Sequence, residues 1–269
     1  MSKFRKAHFW LRHRLIAFVS TRLFLNVTYT IRRGLAAGMR RKGGLGFLPL
    51  AASETAETQF LSGLDLSGKT VYDVGGFEGV LTLFFARKAS EVITYEPNPR
   101  NFERCVENVT LNALSNVRVF NRGISSDLGQ LELTYDPLMP GAGSGNHDIS
   151  HQIANSVAAA RRVQIQVATL DSEIEKLNLP SPDFIKIDIE GMELPALRGM
   201  SRTLASNGPD LFIELHGAEP ADKVTNSVAV LEFLEQAGYR IYGVENRKYL
   251  TATTIGSHPP SHLYCTKVD

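Results

Sequence analysis

Asp73, Gly75, Gly79 and Glu96 stand at spacings that could hold a nucleotide-like ligand. The run Thr70-Val71-Tyr72-Asp73-Val74 is short, apolar and β-branched, as a buried strand requires. It ends in Gly75-Gly76-Phe77-Glu78-Gly79, and the helical stretch 80–89 follows. A tight glycine turn between strand and helix lets backbone approach a ligand closely. Ligands of open α/β sheets bind beyond the carboxyl ends of the strands. Glu96 ends the next strand, residues 91–95, 21 positions after Gly75. A carboxylate there can accept both hydroxyls of an adenosine ribose. NAD and S-adenosylmethionine fit this much equally well.

The glycine spacing separates them. A dinucleotide fingerprint needs G-x-G-x-x-G. Counted from Gly75, the required positions hold Phe77 and Val80, so a pyrophosphate lacks its backbone cradle. Asp73 at the strand end can pair with an ammonium group, which suits the methionine portion of S-adenosylmethionine. The bland alternative is a tight turn whose glycines serve packing.

These residues need strands and helices in alternation to hold them. Residues 117–120, 183–188 and 211–216 read as further strands, with 239–242 and 263–265 closing the set. Helices are expected over about 100–111, 193–205 and 222–237. This alternation predicts a mostly parallel sheet covered on both faces. The middle departs from it. Residues 131–134 and 163–167 alternate as two extra strands, and 138–152 between them reads as a glycine-rich mobile loop. His147 and His151 could ligate a metal on a helix, but the Gly and Asp around them favour loop. No repeat of fixed period is visible.

The segments VYDVGGFEG (71–79), YEPNPRNFERCVENVTLN (95–112), TLDSEI (169–174), FIKIDIEGMELPALRGM (184–200) and LFIELHG (211–217) occur in that order. Together they resemble the FkbM family of S-adenosylmethionine-dependent methyltransferases, over about residues 65–217. IKIDIEGME is the most distinctive part. The family often has Asn in the glycine loop where this chain has Phe77, which could wall the pocket instead. The resemblance implies a class I, Rossmann-like α/β fold of about seven mostly parallel strands, the last antiparallel, with helices on both faces. It implies methyl transfer to a hydroxyl oxygen of a small-molecule, sugar or glycan acceptor. The candidate cofactor-binding set is Asp73, Gly75, Gly76, Phe77, Gly79, Glu96, Pro97, Asn98 and Asp188. Residues 51–269 would form this domain, behind a basic, apolar N-terminal arm of residues 1–50.

Methyl transfer from a sulfonium is an in-line displacement, so donor and acceptor must be held close and aligned. An alcohol must also lose its proton, which calls for a general base. Candidates at strand ends are Asp188, Glu190 and His216, and His216 has the most suitable ordinary pKa. Its alternative role is to close the strand as a satisfied histidine. Asp188 could contact the cofactor, or join Glu190 around a divalent ion, but two acids alone do not specify a metal, and none is assigned. Lys186 and Glu214 sit inside apolar runs where an unpaired charge is costly. Equal distances from the strand ends predict that Lys186 pairs with Glu214 beneath Asp188 and His216. The competing functional readings are a nicotinamide-dependent oxidoreductase and a non-catalytic membrane-surface protein.

Composition bounds the rest. A hydrophobic fraction of 43% and a charged fraction of 21% exclude a disordered chain or a coiled-coil rod. The two cysteines, Cys105 and Cys265, form no CxxC, which makes a reducing, cytoplasmic setting the default. The net charge of +1 hides an asymmetry: residues 1–53 hold 11 Lys/Arg and no acid, leaving 18 basic against 28 acidic residues in the remainder. Arg22 interrupts the apolar stretch 15–31, and a mid-span arginine costs roughly 2.5–3.5 kcal/mol on insertion scales. Spanning is therefore not expected, and two readings stay open: contact with an anionic membrane surface, at the inner face of the membrane, with Trp10, Phe18, Phe24 and Phe47 entering the interface, or packing of these side chains on the domain with the cations solvated. Nucleic acid is not expected, because the body is acidic and carries no reader motif. Gly43-Gly44 and Gly46 read as a flexible junction.

Overall fold

A computed structural model describes residues 24–44, 54–206 and 208–268. The strands, in chain order, are β1 (Thr28–Thr30), β2 (Arg40–Lys42), β3 (Thr70–Val74), β4 (Glu91–Tyr95), β5 (Val117–Phe120), β6 (Gly123–Ile124), β7 (Gly129–Asp136), β8 (Met139–Ser144), β9 (Arg161–Ala168), β10 (Phe184–Ile187), β11 (Asp210–Glu214), β12 (Tyr239–Gly243), β13 (Lys248–Leu250) and β14 (His262–Lys267). The helices are α1 (Ala56–Ser62), α2 (Val80–Ala86), α3 (Pro99–Leu111), α4 (His147–Ser156), α5 (Leu170–Leu177), α6 (Glu193–Arg198), α7 (Ser201–Ser206) and α8 (Pro220–Gln236).

The main sheet runs β13-β12-β14-β11-β10-β3-β4-β5. β5, β4, β3, β10 and β11 are parallel, and β14 is antiparallel to both β11 and β12. Seven of these strands match the expected set. The eighth, β13, is an edge strand added by a hairpin with β12. Alternate residues of the central strands enter opposite cores, as a period of two requires. Tyr72, Val74, Ile93, Ile185 and Ile187 pack beneath α5 to α8. Val71, Val92, Phe184 and Phe212 pack beneath α1 and α2. Both faces are buried, which is why these strands read as continuous apolar runs.

The chain builds outward through β3, β4 and β5, then returns to place β10 beside β3. That reversal opens a crevice at the carboxyl ends of β3 and β10. Over it lies a second sheet, β6-β9-β7-β8, in which β7 and β9 pair antiparallel from Gly129–Val167 to Tyr135–Arg161. Its apolar side chains Leu131, Leu133, Ile165 and Val167 line the crevice.

Three expectations are corrected. The segment 138–152 is not a loop: it forms β8 and the start of α4. Asn146 caps that helix, its Oδ1 accepting from Asp148 N at 3.0 Å and Ile149 N at 3.2 Å. His147 and His151 thus sit one turn apart on a helix, with ring centroids 4.5 Å apart. The helix expected over 193–205 is split into α6 and α7 at Gly199, where a Cβ would lie 1.9 Å from Ser125 O. Finally, Gly43 and Gly44 are not a loose junction. They follow β2 with positive φ, and Gly43 N donates to Val27 O at 3.0 Å.

Residues 24–44 of the expected arm pack on the domain. Ile31, Ala36 and Met39 are buried against Leu83, Cys105 and Val109. Asn112, at the C-cap of α3, and Asn108 of α3 accept from Arg40 N at 2.7 Å and Lys42 N at 2.8 Å. Arg41 pairs with Glu78, and Lys42 with Glu107 at 2.8 Å. Trp10, Phe18, Gly46, Phe47 and the boundary at residue 50 lie outside the described residues. Among those described, no helix is long and apolar enough to cross a membrane.

Candidate active site

The carboxyl ends of β3, β4 and β10 open into a cleft of about 740 Å³, counting the space at its open mouth. Gly75 forms its floor. Its φ is 86°, and a Cβ there would stand 1.8 Å from Asp188 O. Only glycine lets the β3 and β10 ends approach this closely. Gly75 N and Gly76 N both donate to Tyr95 O, at 2.9 and 3.1 Å, which ties the loop to β4.

Glu96 lines the cleft just past β4 and is 6% exposed. Its Oε2 accepts from Phe77 N at 2.8 Å, and its Oε1 from Asn98 N at 2.9 Å and Asn101 Nδ2 at 3.4 Å. Burial pushes its carboxyl up to about 7, against the opposing pull of those N–H groups. Asn98 caps α3, its Oδ1 accepting from Arg100 N at 3.1 Å. The Asn98 side chain also lines the cleft, and its buried Nδ2 has no hydrogen-bond partner among the described residues. Leaving such a donor unpaired costs about 1–3 kcal/mol, so a ligand acceptor here is favoured. Phe77, at φ 49°, and Pro97 form walls of the cleft, with the Phe77 ring lying against Gly141 of β8. An adenosine ribose with an apolar surround fits these donors, acceptors and walls.

Asp73 is placed differently from the expectation. It is fully buried beneath the loop and absent from the cleft wall. Its Oδ2 accepts from Thr82 Oγ1 at 2.6 Å, and its Oδ1 lies 3.4 Å from Lys186 Nζ. A charge this deep needs a protein partner, and Lys186 supplies it in place of a ligand ammonium. Gly76 and Gly79 also lie below the cleft, packed against Thr94 and Cys105.

The Lys186–Glu214 pairing is corrected too. β10 and β11 are neighbours, but Lys186 stands level with Phe212 on one side and Asp73 on the other. Lys186 Nζ donates to Gly75 O at 2.9 Å and lies 3.3 Å from Asp188 Oδ2. Burial alone would lower its pKa, but Asp188 and Asp73 outweigh that and raise it above the ordinary lysine value. Lys186 thus clamps the β3 and β10 ends together from below.

At the other end of the cleft Asp188 and Glu190 form the wall. Glu190 is held at φ 52°, and its carbonyl accepts from Ser144 Oγ at 2.5 Å. Burial raises its carboxyl to about 7. Behind them stands His216, whose Nε2 lies 3.8 Å from Asp188, 3.6 Å from Glu190 and 3.6 Å from Glu214. Its Nδ1–H donates to Glu193 Oε1 at 2.9 Å. Burial would lower the His216 pKa, but the bonds to Glu193 and Glu214, with Glu190 nearby, raise it to about 11. This imidazole does not keep the near-neutral pKa that recommended it as a base.

Glu193 escaped the sequence reading. It is wholly buried and also accepts from Gly191 N at 2.9 Å and Asn226 Nδ2 at 2.8 Å. The available signal was an acid at the head of the apolar helical run 193–200.

The strand order β5-β4-β3-β10-β11-β14-β12, with β14 alone reversed, is that of class I S-adenosylmethionine-dependent methyltransferases. The glycine loop after the first strand and the carboxylate after the second belong to the same class. Within it, the chain belongs to the FkbM family: the Methyltransferase FkbM domain matches residues 73–241. A Beauveria bassiana protein named Methyltransferase 1 is 30% identical over 143 residues, covering 48% of this chain and 57% of that protein. The hexuronic acid methyltransferase AglP of Haloferax volcanii is 31% identical over 153 residues, covering 56% and 58%. The chain thus spans under two thirds of either relative. Among solved structures, methyltransferase FkbM from Methylobacillus flagellatus aligns with a TM-score of 0.46 and 22% identity, over 76% of this chain and 45% of that one.

Proposed function

We propose that the chain methylates a hydroxyl oxygen of a small-molecule or glycan acceptor, using S-adenosylmethionine. The observation that carries this reading is one cleft lined at one end by Glu96 and Asn98, and at the other by Asp188 and Glu190. When bound, S-adenosylmethionine supplies an electrophilic methyl on a sulfonium. Glu96 accepts the ribose hydroxyls, Asn98 Nδ2 donates to the adenosine portion, and Phe77 excludes water from that end. Lys186 holds the Gly75 carbonyl and Asp188 in place beneath the reacting centre. Asp188 and Glu190 face the acceptor hydroxyl and receive its proton, while His216 stands behind them and orients their carboxylates. The family relative named a hexuronic acid methyltransferase supports a sugar as the acceptor. The apolar underside of the β7–β9 sheet would cover the bound pair and align it.

Contact with an anionic membrane surface is part of the proposal, through residues 1–50, of whose cations Arg41 and Lys42 are engaged by acids of the domain. Calorimetry with S-adenosylhomocysteine and with NAD, followed by transfer of labelled methyl to a panel of sugars, tests the central reading. Binding of S-adenosylhomocysteine and label on an ether oxygen are expected. Binding of NAD alone, or label found on nitrogen, would overturn it.

A further inference from the structure

Asp188, Glu214 and His216 each offer a ligand atom, and these atoms lie within 4.8 Å of one another. The sheet brings them together. Ile187 and Ile213 are in register, so Asp188 and Glu214 stand side by side one residue further on, and His216 follows two residues after Glu214 on the same face. His216 Nε2 is 3.8 Å from Asp188 Oδ1 and 3.6 Å from Glu214 Oε1. Ligand atoms on bonds of about 2.1 Å stand roughly 3.0–3.4 Å apart in octahedral or tetrahedral sites. Each imidazole–carboxylate distance needs to close by only a few tenths of an ångström, and both carboxylate side chains are about a third exposed.

The imidazole sets this group apart from a patch of acids. Its Nδ1–H is committed to the wholly buried Glu193, which Gly191 N and Asn226 hold in turn. That leaves Nε2 directed at Asp188 and Glu214, the arrangement in which a second carboxylate orients a metal-binding histidine. Charge points the same way. Asp188, Glu190 and Glu214 converge on Nε2, and each nearby cation is divided between one of them and an acid outside the group: Lys186 lies 3.3 Å from Asp188 and 3.4 Å from Asp73, and His262 lies 3.6 Å from Glu214 and 2.5 Å from Glu245.

We propose that Asp188, Glu214 and His216 bind one divalent first-row transition ion at the acceptor end of the cleft. Two carboxylates and one imidazole favour Mn²⁺, Fe²⁺ or Zn²⁺ over Mg²⁺ and Ca²⁺. Three protein ligands leave coordination positions for acceptor oxygens, a role that rests on the methyl-transfer reading; the ion site itself does not.

The test is titration of MnCl₂ into the chelator-treated 269-residue chain, with free Mn²⁺ followed by electron paramagnetic resonance and no methyl donor present. One ion per chain is expected. His216→Ala and Glu214→Gln should each weaken binding tenfold or more, and Glu193→Gln by about tenfold. The double change His147→Ala, His151→Ala removes the exposed histidine pair on α4 and should leave binding unchanged. Circular dichroism checks each fold, and the partly exposed Glu214→Gln carries the test if His216→Ala does not fold. Absence of stoichiometric binding by the parent chain would overturn the proposal. So would parent-like binding in Glu214→Gln, or loss of binding with the α4 histidines. S-adenosylhomocysteine calorimetry on the metal-free chain is a separate readout, so failure of the cofactor reading and failure of the ion site are told apart.

Discussion

Glu96 gives cofactor affinity a pH dependence with a sign and a size. Its carboxyl is raised from 4.5 to about 7, chiefly by burial, while the Asn98 and Phe77 N–H groups pull the other way and Lys186 is the charge that acts on it. Ribose hydroxyls donate to the ionised form, so binding selects the carboxylate. With a pKa near 7, about one tenth of the chains are ionised at pH 6 and about nine tenths at pH 8. Apparent affinity for S-adenosylhomocysteine should therefore rise roughly tenfold between these values, about 1.4 kcal/mol. An unshifted glutamate would be ionised at both and give no slope. Stability of the free chain runs oppositely. A carboxyl raised in the folded state stabilises the fold at low pH, and that contribution is lost as pH rises through about 7. Calorimetry of the parent and of Glu96→Gln, across pH 6 to 8, is the assay. Glu190 also titrates near 7 and also lines the cleft, so Glu190→Gln is the matched control and should keep the slope. Glu96→Ala should cost roughly 2–4 kcal/mol of affinity at pH 8, because hydrogen bonds to charged groups are the strong ones. A flat profile in the parent, or an equal slope in Glu96→Gln, would refute the ribose-clamp assignment.

Lys186→Met leaves Asp73 and Asp188 without their shared cation, and should destabilise the fold by about 3–5 kcal/mol in urea unfolding; a loss under 1 kcal/mol would show that the clamp is dispensable. Arg41→Ala should cost about 1–3 kcal/mol by releasing Glu78 at the end of the glycine loop, and a double-mutant cycle with Glu78→Gln should recover most of that as coupling. If residues 1–50 meet anionic lipid, vesicle binding should fall as salt shortens screening to about 8 Å at physiological strength and vanish when they are deleted; indifference to anionic vesicles at low salt would reassign this segment.

The central strands were legible because burial on both faces leaves an unambiguous mark. Thr70 to Val74, Glu91 to Tyr95 and Phe184 to Ile187 are apolar runs bounded by turns, and the helices between them keep their periodicity. What escaped depended on single contacts made across the chain. The break at Gly199 answers to the Ser125 carbonyl, 74 positions earlier in sequence. α4 was missed because its glycine-rich approach masked Asn146 as a cap. The hairpin of β1 and β2 leaves little mark in the sequence of the basic arm, because the partners of its cations are distant in the chain. Those partners, Glu78 and Glu107, come from the glycine loop and from α3.

The site divides along the same line. Residues that act through backbone position, Gly75 and Glu96, could be placed from spacing alone, since a turn and a strand end fix them. Residues that act through charge could not, because their state depends on neighbours from other strands. Counting from strand ends matches Lys186 to Glu214, but parallel register sets it level with Asp73 and Phe212. That shift leaves Asp73 wholly buried, paired with Lys186 and off the cleft wall. It also leaves Glu214 beside Asp188, facing His216. The histidine's chemistry then follows from Glu193, a wholly buried acid that takes Nδ1 and leaves Nε2 among three carboxylates. A group that looked like a solitary base is therefore the centre of an acidic cage. A cage of that charge is completed by a cation, a proton on the imidazole or a metal ion in its place.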